Sequence, residues 1–184
     1  MLVATSAPAE SSVDAPQDAG TIFQQEFRYV WNSLRRLGVH QRDLEDVVHE
    51  VFVRVHDQLP LFDVTRPLRP WLFGIALGLA TNYRRLARHR VDLMAEPPEQ
   101  SDPAQPADAS LEELERARLV HAALLQVTLE QRAVLVLHEL DGFAVPEIAT
   151  TLGLSLNTAY SRLRLGREAF RSNFRRLAAQ KGWR

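Results

Sequence analysis

The chain has 184 residues, 46% of them apolar and 24% charged, with a net charge of -1 and no cysteine. That length allows one ordinary domain or two small ones, and the missing cysteine excludes disulfides and thiolate metal sites. No apolar run is long enough to span a membrane, and the N-terminus lacks the cationic start and apolar core of a secretion signal, so a soluble cytoplasmic protein is expected.

Residues 1–20 are rich in Ala, Ser, Pro and Asp and carry no apolar period, so a disordered tail is expected there. From Thr21 the residues Phe23, Phe27, Val30, Leu34 and Leu37 recur at steps of three and four, and Gly38 stands where a helix ends. A second helix is predicted from Asp43, where Asp43 and Asp46 have the spacing of a capping box. Its buried stripe is Leu44, Val47, Val48, Val51, Phe52, Val55 and Leu59, and Pro60 closes it. After a loop over 61–69, Pro70 suits the first turn of a third helix, in which Trp71, Leu72, Ile75, Ala76, Leu79 and Tyr83 face inward. This helix ends in the basic run Arg84, Arg85, Arg88, His89 and Arg90, more cations than a helix dipole needs. Gly74 and Gly78 each weaken it by about 1 kcal/mol relative to alanine.

Residues 92–109 hold four prolines and five acids with almost no apolar side chains, the composition of a linker. Ser110 with Glu113, and Thr128 with Gln131, have capping-box spacing and open two further helices, through Leu114, Leu119 and Leu124 and through Ala133, Val134, Leu137 and Leu140. Asp141-Gly142 stops the second. No segment alternates as a strand does. The expected fold is all-α, with two small helical domains at 21–91 and 110–177 and a short tail over 178–184.

The segment 143–170 reads FAVPEIATTLGLSLNTAYSRLRLGREAF. Pro146 and Glu147 suit a first turn, Ile148 and Leu152 face inward, and Ala149 is small where a second helix crosses. Gly153 makes the turn, Leu154 fills the angle, Ser155 caps, and Ala159 and Leu163 face inward. This is a helix-turn-helix. Its outward residues Asn157, Thr158, Tyr160, Ser161, Arg162, Arg164 and Arg167 are the types that pair with base edges and fix phosphates in duplex DNA. An amphipathic hairpin with solvated arginines is the bland alternative, but it would not need Ala149, Gly153, Leu154 and Ala159 together.

Charge supports a polyanionic partner. Residues 21–90 hold eleven arginines against seven acids, 91–115 hold eight acids and no base, and 116–184 hold eleven bases against five acids. His49-Glu50 and His138-Glu139 lack the second histidine of a metalloprotease helix, and no phosphate loop or nucleophile elbow is present. No metal, cofactor or catalytic residue is expected.

The segments DLEDVVHEVFVRVHDQL (43–59), RPWLFGIALGLATNYRRLARHR (69–90) and LEQRAVLVLHELDGFAVPEIATTLGLSLNTAYSRLRLGRE (129–168), in that order across an acidic linker, resemble bacterial RNA polymerase sigma factors of the extracytoplasmic-function group. The resemblance implies a factor that binds core polymerase and directs initiation at chosen promoters. It implies that Asp43, Asp46, His49, Glu50 and Arg54 dock on the clamp helices of the largest subunit, with His49 where many relatives have glutamine. Phe62 would hold a flipped base of the minus-ten element, and Asn82, Arg84, Arg85 and Arg88 would contact the separated strand. Gly78 stands where relatives commonly have asparagine reading that base. Trp71 is open between packing and strand contact. The second domain would read the minus-thirty-five element and touch the flap of the second-largest subunit. The linker would either mimic nucleic acid in the RNA channel or simply solubilise. An anti-sigma protein is a further expected partner, and a stand-alone helix-turn-helix regulator is the alternative function.

Overall fold

The computed structural model describes residues 18–90 and 110–182, without the side chains of 87–90, and every regular element among them is helical. Most of the tail expected over 1–20 and all of the linker expected over 92–109 lie outside the described residues. Helices α1 (Ala19–Leu37), α2 (Leu44–Gln58) and α3 (Leu68–Arg90) pack on one another. Helices α4 (Leu111–Leu125), α5 (Leu129–Leu135), α6 (Val145–Thr151) and α7 (Leu156–Gln180) form a second bundle in which α7 receives the other three.

The apolar stripes read from the sequence are the ones buried. Val30, Leu34 and Leu37 of α1 meet Leu44, Val47, Val48, Val51 and Val55 of α2 and Leu72, Phe73, Ala76 and Ala80 of α3. Asp18 accepts the Thr21 N–H at 2.7 Å, so α1 starts at Ala19, inside the expected tail. Gly38 ends α1 with φ +95°, and the Gly38 and Val39 N–H groups donate to Arg35 and Leu34 O. A Cβ at Gly38 would stand 2.9 Å from Nη1 of Arg132 on α5. Gly38→Ala is therefore expected to cost about 1–3 kcal/mol through backbone strain and this clash, read as a lower urea midpoint at unchanged slope.

Two expected caps are absent. Asp43 makes no side-chain cap, because its carboxylate instead accepts the Tyr83 hydroxyl of α3 at 2.5 Å. Thr128 makes none either, whereas Ser110 and Glu113 form the full reciprocal pair. Pro60 sits in a 3-10 turn, Leu59–Leu61, and α3 begins at Leu68, two residues before Pro70. The helix expected to run to Leu140 widens into a π turn over Val136–Leu140, closed by Asp141 N–H on Val136 O.

In the helix-turn-helix, Gly153 (φ +62°) makes the turn, Leu154 N–H reaches Ala149 O at 2.8 Å, and Ser155 accepts the Thr158 N–H. Ala149, Ala159 and Leu163 are buried as read from the sequence. Gly166 permits a close crossing: a Cβ there would meet Gln131 O at 3.2 Å. Helix α7 runs past the expected end at 177, to Gln180.

Candidate nucleic-acid interface

On α7, Asn157, Tyr160, Ser161 and Arg164 are exposed along the first turns, and Arg162 and Arg167 are half-buried beside them. Thr158 is held by Ser155, with their hydroxyls 2.7 Å apart. Arg164 pairs with Glu168 at 2.8 Å, and Arg167 donates to Glu139 at 2.7 Å. Exposed pairs of this kind are worth about 0–1 kcal/mol, so a phosphate can take either guanidinium at little cost.

A groove opens where the other bundle faces α6, whose Glu147, Thr150 and Thr151 form one wall. Phe62 follows the 3-10 turn, its ring lying over Trp71 with centroids 4.5 Å apart and planes 33° apart. Trp71 thus packs on the core and also forms the floor under Phe62. The two rings, with Arg54, Arg66, Gly74 and Gly78, line a cavity of about 650 Å³. A Cβ at Gly78 would meet nothing within 4 Å, so a side chain at this position has room. Leu61 and Val64, 87% and 75% exposed, flank Phe62. Two apolar residues in a loop are the signal in the sequence that marks them.

The basic end of α3 is divided. Asn82 and Arg85 are exposed and bonded to each other at 2.9 Å. Arg84 turns inward, and its Nη1 is buried without a hydrogen-bond partner among the described residues. The Arg88 side chain lies outside the described residues.

On α2, Asp46, His49, Glu50 and Arg54 are exposed on one edge. Glu50 accepts from Arg54 at 3.1 Å, and the His49 ring bonds Glu45 O at 2.9 Å. Asp43 stands at the head of α2. It binds Tyr83, whose pKa is raised by burial and by this carboxylate.

The seam where the two bundles meet has no local signature in the sequence. Arg132, 1% exposed, donates through Nη1 to Leu37 O at 2.9 Å and through Nη2 to Val127 O at 2.7 Å and to Leu125 O. Burial, then the charge on Arg84, pull its pKa down to about 10, which leaves it charged at neutral pH. Tyr29 donates to Asp141 at 2.9 Å and Arg36 approaches the same carboxylate at 3.4 Å, while His121 bonds Arg35 O at 3.1 Å. Burial raises the pKa of Asp141 against the opposing pull of Tyr29 and Arg36.

Residues 22–90 match the family model described as Sigma-70 region 2, and residues 117–170 match Sigma-70, region 4. The chain is 32% identical over 162 residues to the ECF RNA polymerase sigma factor SigL of Mycobacterium tuberculosis, covering 85% of this chain and 88% of that one. It is 30% identical over 154 residues to the ECF factor SigW of Bacillus subtilis, covering 78% and 81%. The solved structure of CnrH in complex with the cytosolic domain of CnrY is similar at 27% identity and a TM-score of 0.59, covering 84% of this chain and 85% of that one. The sigma factor RpoE of Bartonella quintana, solved with the anti-sigma factor NepR, shares the fold at 22% identity and a TM-score of 0.62, covering 83% and 96%.

Proposed function

The chain belongs to the extracytoplasmic-function group of the sigma-70 family and directs RNA polymerase to promoters, and from that premise we propose how its faces share the task. The domain at 21–91 docks on the clamp helices of the largest subunit through Asp46, His49, Glu50 and Arg54. It holds the opened minus-ten element at the Phe62 groove, with Asn82, Arg84, Arg85 and Arg88 on the strand. The domain at 110–177 reads the minus-thirty-five element with α7 and meets the flap of the second-largest subunit. Asp43, bonded to Tyr83, fixes the head of α2 against α3.

The observation that carries this division is Phe62 stacked on Trp71 beside a cavity, a place for an unstacked base against an aromatic floor, with Arg54 and Arg66 as well as Asp63 and Glu147 on its walls. A stand-alone regulator has no use for residues 22–90, which match region 2. Factors of this family are generally not enzymes. The factor works in the cytoplasm, and an anti-sigma protein is a further partner, as in the complex of RpoE with the anti-sigma factor NepR.

The α7 assignment is tested by Arg162→Ala and Arg164→Ala. Each is expected to cost about 1–3 kcal/mol of discrimination at the distal element if it makes a base-edge pair. Transcription from promoters with a strong and a mutated distal element measures this. If neither change narrows the gap between the two promoters, another face of the domain does the reading.

A further inference from the structure

We propose that Leu165 of α7 is a specificity residue: its side chain meets the C5-methyl group of a thymine in the major groove, so that the distal element selects thymine at that position. This rests on α7 being the helix that reads the distal element, as proposed above.

A helix turns by about 100° per residue, so spacing fixes the face a side chain occupies. Asn157, Tyr160, Ser161, Arg164, Leu165 and Glu168 are exposed and fall within an arc of about 140°. Ala159, Leu163 and Gly166 are buried on the far side. Five of the six exposed side chains end in a polar or charged group. Leu165, 37% exposed, ends in hydrocarbon, and among the described residues it lies outside both the core and the hydrophobics packed on it. Leu156 is also exposed, but it stands two turns before Leu163 on the same stripe, toward the core side.

Base edges in the major groove present donors and acceptors, and the one methyl group among them belongs to thymine. A leucine set against guanine N7 and O6, or against the amino group of adenine or cytosine, strips water from that group and returns no hydrogen bond. Set against the thymine methyl group, it takes apolar surface of both partners out of water. Contact thus favours thymine while desolvation disfavours the alternatives. The polar readers lie close by, with Ser161 one turn before Leu165 and Asn157 about 12 Å before it along the axis. The major groove is itself about 12 Å wide, so all three fit one stretch of it. Arg164, next in the chain, is held by Glu168 at 2.8 Å.

The test gives core polymerase and the full chain a promoter library randomised over the distal element, and the transcribed templates are sequenced. The unaltered chain is expected to enrich thymine at a position where Leu165→Ala loses the preference and keeps the rest of the element. Leu165→Arg is expected to turn that position toward guanine, whose O6 and N7 accept from a guanidinium. Deoxyuridine in place of the selected thymine lacks only the methyl group. It is expected to lower transcription about fourfold with the unaltered chain and to matter little with Leu165→Ala. A deoxyuridine template that serves the unaltered chain as well as the thymine one overturns the proposal, and so does a Leu165→Ala selection identical to that of the unaltered chain. Arg164→Ala separates this from the assignment of α7. If Arg164→Ala alters the selected element and Leu165→Ala does not, α7 reads the promoter without Leu165; if neither alters it, both assignments fall.

Discussion

Arg132→Ala is expected to destabilise the chain by about 3 kcal/mol, lowering Tm by about 6–12 °C for a protein of this size. The guanidinium supplies the donors for Leu37, Val127 and Leu125 O, which are left without them when it is removed. Hydrogen bonds from a charged donor contribute about 1.5–3 kcal/mol each. Relief of burying an unpaired cation beside Arg84 offsets part of that sum. Arg132→Lys keeps the charge but loses the planar fork that reaches three carbonyls, so it should recover only part of the loss. Thermal unfolding followed by circular dichroism measures both variants. A Tm within about 2 °C of the unaltered chain for Arg132→Ala would mean that these carbonyls find other donors or water.

Phe62→Ala should act on function and leave the fold alone. The ring is half-exposed and touches Trp71 from outside the core, so its removal is expected to leave Tm and polymerase affinity nearly unchanged. A base stacked on an aromatic ring gains about 1–3 kcal/mol, which corresponds to about a 5- to 150-fold loss of open complex at a closed promoter. A promoter fragment already unpaired over the minus-ten element should recover part of the defect, because strand separation no longer has to be captured by Phe62. Equal loss on the paired and unpaired fragments would locate the role of Phe62 in ground-state binding.

Most of the helical layout was legible because burial follows a local period. Val47, Val48, Val51 and Val55 needed only the spacing of one helix, and Gly153, Ser155 and Ala159 announced the turn within a few residues. The cap at Asp43 misled because a cap depends on what else competes for the side chain, and Tyr83, forty residues away, takes Asp43. Arg84 looked like the exposed residues Asn82 and Arg85 around it, yet it turns into the seam. The seam itself was illegible for the same reason. Tyr29 and Asp141 are 112 positions apart and Arg132 and Leu37 are 95 apart, so no local pattern links them. A buried arginine served only by carbonyls also runs against the composition rule that places charges outside.

The chain lends core polymerase its choice of promoter. The most direct measurement is run-off transcription from a set of promoter fragments with purified core polymerase, with and without the chain. Transcripts from a distinct subset of fragments that appear only with both components are the expected result, together with weak duplex binding by the chain alone. Tight, sequence-specific duplex binding without polymerase, and no transcript from any fragment when both are present, would contradict it.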